Sequence, residues 1–175
     1  YNPGVLDANG VAVPTTMDEW FAAMDTLQAA GVIPLALGEQ WTQLHLFETV
    51  LLGTLGADLY DGLWDGSTDW ASAEVTGALD NFAKVLTYTN SDSASLSWQD
   101  AAQLVVNGDA AFNVMGDWAA GYFIELEQTP MEDYGWAPVP GSVGVFQFLS
   151  DSFTLAVGAP HADGAEAWLK IAGSK

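Results

Sequence analysis

The stretch "AAQLVVNGDAAFNVMGDWAAGYF", residues 101–123, decides how this chain folds. Its first part spaces apolar residues as a helix does and closes at Asn107-Gly108, a pair that favours a turn. "AAFNVM" then runs apolar without alternation, the pattern of a strand covered on both faces. Gly116 and Asp117 form a corner, and "AAGYFIELEQ" resumes helical spacing. Helix, buried strand and helix in succession give an α/β or α+β layout, helix-rich with a small sheet. Trp118 stands on the corner after the strand, where side chains tend to face a cleft.

The flanking sequence fits this layout. Ser97 is placed to cap "SWQDAAQLVVNG". In "TTMDEWFAAMDTLQAAG", Thr16 and Glu19 have capping-box spacing, Trp20, Met24 and Leu27 form one apolar stripe, and Gly31 closes the helix. "VIPLALG" reads as a short strand that Pro34 confines to an edge or bulge. "EQWTQLHLFETVLLGTLG" is helical, with Trp41, Leu44, Phe47, Leu51 and Leu55 on one face. "ADLYDGLWDGSTDW" reads as a turn-rich connection, because it holds two Asp-Gly steps. A further helix runs from about Ala71 to Tyr88 with Val75, Leu79, Phe82 and Leu86 on its stripe. "VFQFLSDSFTLAVG" reads as two short strands broken at Ser150-Asp151-Ser152, and "HADGAEAWLKIAG" as a closing helix. Tyr1 to Pro14 is a loop rich in Gly, Pro and Asn.

The 175 residues suffice for one domain with a sizeable core. The chain opens without an initiator Met, a charged n-region or an apolar h-region, and it stops after a helical pattern. Both ends are therefore expected to be internal to a longer protein. Charge is the outlying feature: 23 acidic residues face three lysines and no arginine, a formal net charge of −20. Phosphate neutralisation needs Lys and Arg, so no nucleic-acid or anionic-membrane partner is expected. The self-repulsion is relieved by salt, which fits either a high-salt habitat or an ordinary acidic protein.

The residues rule against several chemistries. The chain has no cysteine, no nucleophile elbow and no phosphate loop. His45 and His161 lie far apart without metal-ligand spacing, and "DGSTD" lacks the register of a calcium loop. No metal and no cofactor is expected. Carboxylates are abundant everywhere, so no pair stands out as a glycosidase dyad.

Eight tryptophans remain to be explained. A sugar ring offers an apolar C–H face and a rim of hydroxyls; an indole covers the face, and a carboxylate accepts from the rim. Trp118 and Asp151 are the candidates, Asp151 because it interrupts an apolar strand pair. Each has a plainer reading. Asp117 is a natural helix cap, and Asp151 is a possible turn residue. Trp41 fits core and ligand contact equally. Trp20 and Trp168 fall on helix stripes and read as core, Trp98 packs locally, and Trp64, Trp70 and Trp136 are open.

"PTTMDEWFAAMDTLQAAGVIPLALG", "WTQLHLFETVLL", "WQDAAQLVVNGDAAFNVMGDWAAGYF", "YGWAPVPG" and "VFQFLSDSFTLAVGAPHADGAEAWLK" occur in this order. Together they resemble the extracellular solute-binding proteins of carbohydrate ABC transporters, of the glucose/mannose-binding type, over almost the whole chain. The resemblance implies a two-lobed fold closing on a sugar, with residues 1–175 as a single lobe, the C-terminal one, and the first lobe and hinge return absent. It implies a monosaccharide such as glucose or a small oligosaccharide as ligand, ABC permease subunits and the N-terminal lobe as partners, no catalysis, and a location outside the cytoplasm, periplasmic or lipid-anchored. Trp118 in "MGDW" matches the family's stacking tryptophan and Asp151 in "SDSF" its hydroxyl-binding aspartate. Gln40, Trp41 and His45 lie in a segment that approaches the cleft in that family. The rival readings are a stand-alone lectin-like module, a glycoside hydrolase-type enzyme and an interaction domain.

Overall fold

Two short parallel strands organise the protein. The computed structural model describes residues 1–174, which divide into two compact units, Tyr1–Val145 and Phe146–Lys175. In the first unit, β1 (Ile33–Ala36) pairs with β2 (Ala110–Asn113), with Ile33 opposite Ala110 and Leu35 opposite Phe112. Pro34 is compatible because β1 is an edge of this two-stranded sheet.

The helices form where local chemistry starts and stops them. Asn2 caps α1 (Pro3–Ala8), whose Pro3 occupies the first turn, where a missing N–H is harmless. The Thr16–Glu19 capping box starts α2 (Met17–Ala29), and Gly31 follows it at φ +80°. Then come α3 (Gln40–Leu55), α4 (Ala57–Asp65), α5 (Ala73–Leu86), α6 (Trp98–Val106) and α7 (Ala119–Glu125). Ser97 and Asp100 form a second capping box at α6. Hydrogen bonds from Thr15 and then Thr16 hold Glu19 below the usual carboxylate range, and those from Ser97 do the same for Asp100.

The main core lies between one face of the sheet and α2, α3 and α5: Trp20, Met24, Leu27, Leu35, Leu46, Val50, Val85 and Phe112. On the other face Ala36 and Ala110 pack on Ala101 and Val105 of α6. Lys84 of α5 sits 3.9 Å from the Phe21 ring centroid of α2, joining the two helices by a cation–π contact. Tyr88 is buried and its hydroxyl donates to Asp25 Oδ1 at 2.6 Å. Burial, and then the adjacent carboxylate, push that phenol up to about 12.

The second unit holds α8 (Ala162–Ala172), with a Lys170–Glu166 ion pair of 3.2 Å one turn apart. Residues 146–157 form neither helix nor strand, contrary to the two strands expected there. A strand exists only through a ladder, and among the described residues no ladder or bridge includes positions 146–157. Trp168, expected in a core, is 52% exposed and meets the Phe153 ring edge-on at 5.0 Å. Phe146, Phe148 and Ile171 are exposed as well, so the unit gathers no enclosed core around the indole.

Two further expectations change in the first unit. The turn-rich connection after α3 is a helix, α4: Gly62 lies inside it and only Gly66, in the left-handed region, ends it. The stripe on α3 is changed only in part: Leu51 is buried with Phe47 and Leu55 packed beside it, as expected, while Thr42, Leu46 and Val50 form a second buried face and Leu44 is exposed, because this helix is apolar nearly all round and several faces compete.

Raising NaCl to about 1 M, where the screening length falls to about 3 Å, is expected to raise the melting midpoint by about 5 °C or more; calorimetric scans at both salt levels check this. A second expectation concerns Tyr88. Its folded pKa is raised, so its stabilisation is fully present below about pH 10 and is lost as pH rises through about 12. Tyr88→Phe should lower stability by about 1 kcal/mol at neutral pH, and urea titrations should show that gap closing over this alkaline window.

Candidate functional site

Parallel pairing brings the carboxyl ends of β1 and β2 side by side, and each strand feeds a helix. Asn113 Nδ2 donates to Ala36 O at 2.9 Å, locking the two strand ends together. After β1, Thr42 fixes the start of α3: its hydroxyl donates to Glu39 O at 2.8 Å and accepts from Gly38 N at 3.2 Å. After β2, the corner at Gly116 leads into α7.

These two helix starts carry the expected aromatic residues, and three of them meet. The His45 ring lies 5.6 Å from Trp118 at 67° and 5.5 Å from Trp41 at 89°, so an imidazole stands edge-to-face between two indoles. Trp118 is 41% exposed and Trp41 37%, while His45 is half-buried. Trp41 Nε1 donates to Glu39 Oε1 at 3.0 Å, which pins its ring. Gln40 is exposed as the first residue of α3, next to this ledge in sequence. Asp151 is exposed in the second unit.

Gly116 sets the position of Trp118. A Cβ at residue 116 would run into the six-membered ring of Trp118, so the indole lies directly on bare backbone. Asp117 is not the cap of α7: Trp118 holds that position, and no side chain caps the helix. The carbonyls of Gly116 and Asp117 accept instead from Ala119 N at 3.1 Å and Ala120 N at 3.0 Å. A tight turn thus satisfies the first amides and leaves the Asp117 carboxylate out of the capping role.

A cavity of about 560 Å³ opens at the same corner. It is lined by Phe112, Met115, Phe123, Tyr134 and Trp136 among others, without Trp41, His45 or Trp118. Its walls are largely apolar, whereas the ledge pairs flat rings with exposed polar atoms. Sequence reasoning missed Glu39 as the anchor of Trp41 and the steric role of Gly116. The first has no sequence signature beyond its place before a helix. The second was visible only as the glycine of a Gly-Asp-Trp corner.

Parallel strands whose carboxyl ends carry a ledge of half-exposed rings define a binding lobe of the α/β type. The chain belongs to the bacterial extracellular solute-binding protein family, whose sequence profile matches residues 1–175. The family is one of extracellular binding proteins and not of enzymes. It is 34% identical over 178 residues to an uncharacterized ABC transporter extracellular-binding protein of Pyrococcus horikoshii, covering 99% of this chain and 40% of that one. It is 37% identical over 157 residues to a probable sugar-binding periplasmic protein of Mesorhizobium japonicum, covering 88% and 38%. Among solved structures, the solute receptor AcbH, described as having an exclusive preference for β-D-galactopyranose, superposes with a TM-score of 0.60 at 27% identity, over 67% of this chain and 31% of that one. The chain therefore spans about two fifths of the length of the curated relatives it matches.

Gly116→Ala is expected to displace the Trp118 ring while leaving the strands paired. Near-ultraviolet circular dichroism should lose aromatic intensity with the far-ultraviolet spectrum unchanged, and an unaltered aromatic band would contradict the packing described here.

Proposed function

We propose that residues 1–175 form the C-terminal lobe of the substrate-binding component of a carbohydrate ABC importer, binding a monosaccharide such as glucose. The observation that carries this reading is the Trp118–His45–Trp41 ladder, held half-exposed at the carboxyl ends of the two strands. Trp118 is the platform for the sugar's C–H face and Trp41 extends it. Gln40 and His45 add polar contacts at the edge of the ledge, and Asp151 of the second unit is, by resemblance to the family alone, the candidate acceptor for sugar hydroxyls. The names of the relatives, sugar-binding in Mesorhizobium japonicum and galactopyranose-preferring in AcbH, support a saccharide as the ligand class.

The relatives' greater length leaves room for a second lobe and a hinge return, and closure of the two lobes on the sugar would signal occupancy to the permease by population shift. The net charge of −20 supports a high-salt habitat, where stacking persists while long-range Coulomb terms fade.

A pyranose covering one indole face removes about 100 Å² of apolar area, roughly 2.5 kcal/mol at about 25 cal/mol per Å². Trp118→Ala and Asp151→Ala in the full-length protein should each weaken sugar binding by about tenfold or more, since about 1.4 kcal/mol is a factor of ten. Calorimetric titration with glucose, mannose, galactose and maltose reads this directly. Unchanged affinity in both variants would remove the site assignment, and saturable binding of no sugar by the folded wild type would remove the function.

A further inference from the structure

A second aromatic assembly lies at the end of α4 and shares no ring with the ledge. Tyr60 and Trp64, one turn apart on that helix, meet at 5.8 Å and 71°; Trp70 from the following loop meets Trp64 at 5.7 Å and 76°. The loop is firmly placed. Gly66 N and Thr68 N both donate to Gly62 O, at 3.0 and 2.9 Å, and a Cβ at Gly62 would run into Thr68 Oγ1. Trp70 Nε1 donates to Leu63 O at 3.3 Å. Yet Trp64 is 57% and Trp70 44% exposed, so two near-perpendicular indoles form an open, preformed corner.

Charge decides what fits it. Residues 57–72 include Asp58, Asp61, Asp65 and Asp69 and no Lys or Arg. Among the described residues the sole ion pair is Lys170–Glu166, in the other unit. Asp65 accepts from Ser67 N at 2.8 Å and Asp69 from Ala71 N at 2.9 Å, which fixes both carboxyl groups beside the rings in sequence. The Ser67 hydrogen bonds also hold Asp65 below the usual carboxylate range, so it stays ionised. An anion is repelled here, and a neutral sugar brings only uncharged hydroxyl donors to the carboxylates, whereas a cation also meets their charge. A guanidinium or ammonium group uses both features: it stacks on an indole face and pairs with a carboxylate.

We propose that the Tyr60–Trp64–Trp70 corner is a docking surface for an arginine- or lysine-bearing segment of a partner protein. The rings supply cation–π contact, Asp65 and Asp69 supply the ion pair, and the right-angled walls set the direction from which the side chain arrives.

The test is fluorescence anisotropy of a short labelled peptide carrying two arginines, titrated with the full-length protein in about 0.5 M NaCl to screen its general negative field. A peptide with glutamine in place of arginine is the control. Saturable binding of the arginine peptide is expected, weakened at least tenfold by Trp64→Ala and at least threefold by Asp65→Asn. Trp64→Ala leaves the net charge unchanged, so equal binding by that variant would show mere attraction to an acidic protein and overturn the proposal. Equal binding of the glutamine peptide, or displacement of the arginine peptide by a neutral oligosaccharide, would overturn it too. Trp70→Ala gives the same reading should Trp64→Ala lose its helical circular dichroism.

Discussion

Parallel pairing of β1 with β2 is the constraint on which the rest of the first unit depends. Two strands of four residues cannot hold together in water by their own ladder. They persist because both faces are covered, by α2, α3 and α5 on one side and by α6 on the other. In a parallel arrangement both chains leave the sheet at the same edge, so the helices that follow begin next to each other. Trp41 and His45 come from one exit and Trp118 from the other. The ladder of rings is thus a product of strand direction, with side chains 73 positions apart in sequence (45 to 118) brought into contact by topology.

The parts legible in the sequence were those governed by short-range chemistry. The capping boxes at Thr16 and Ser97, the stripe of Trp20, Met24 and Leu27, and the apolar run of β2 each follow from residues within one or two turns of each other. What was not legible depends on distant partners. Gly62 looks like a turn residue until the loop folding over it is seen, because a glycine that permits close approach and one that ends a helix are the same letter. Residues 146–157 carry a strand-like pattern, but pattern alone cannot supply the neighbouring strand. Trp168 sits on a good amphipathic stripe, yet whether a stripe is buried depends on what else is there to cover it.

The same distinction runs through the candidate site. The Gly-Asp-Trp corner drew attention to Trp118 because of where it falls, and Trp41 and His45 entered through resemblance to a family. Their mutual contact had no local signature. Asp117 was assigned a capping role on sound propensity grounds, and the corner instead met its first amides with backbone carbonyls, which the propensity argument does not weigh. The acidic surface is a property of composition and needs no structure to see. The structure adds that, among the described residues, Glu166 alone has an ion-pair partner, so the balance of charge rests on solvent ions.

The hydrogen bond from the Trp41 indole to Glu39 has a bearing on selectivity. An indole has a single donor, and here it is already taken. What Trp41 offers a ligand is then only a flat, electron-rich surface with no polar handle. Such a surface discriminates by relief: a ring whose substituents all lie in its plane rests flush on either face, while one axial group blocks the face it projects from. At the proposed site the choice among hydroxyl patterns would then come from other groups, and the aromatic part would sort ligands by how flat the face they offer is.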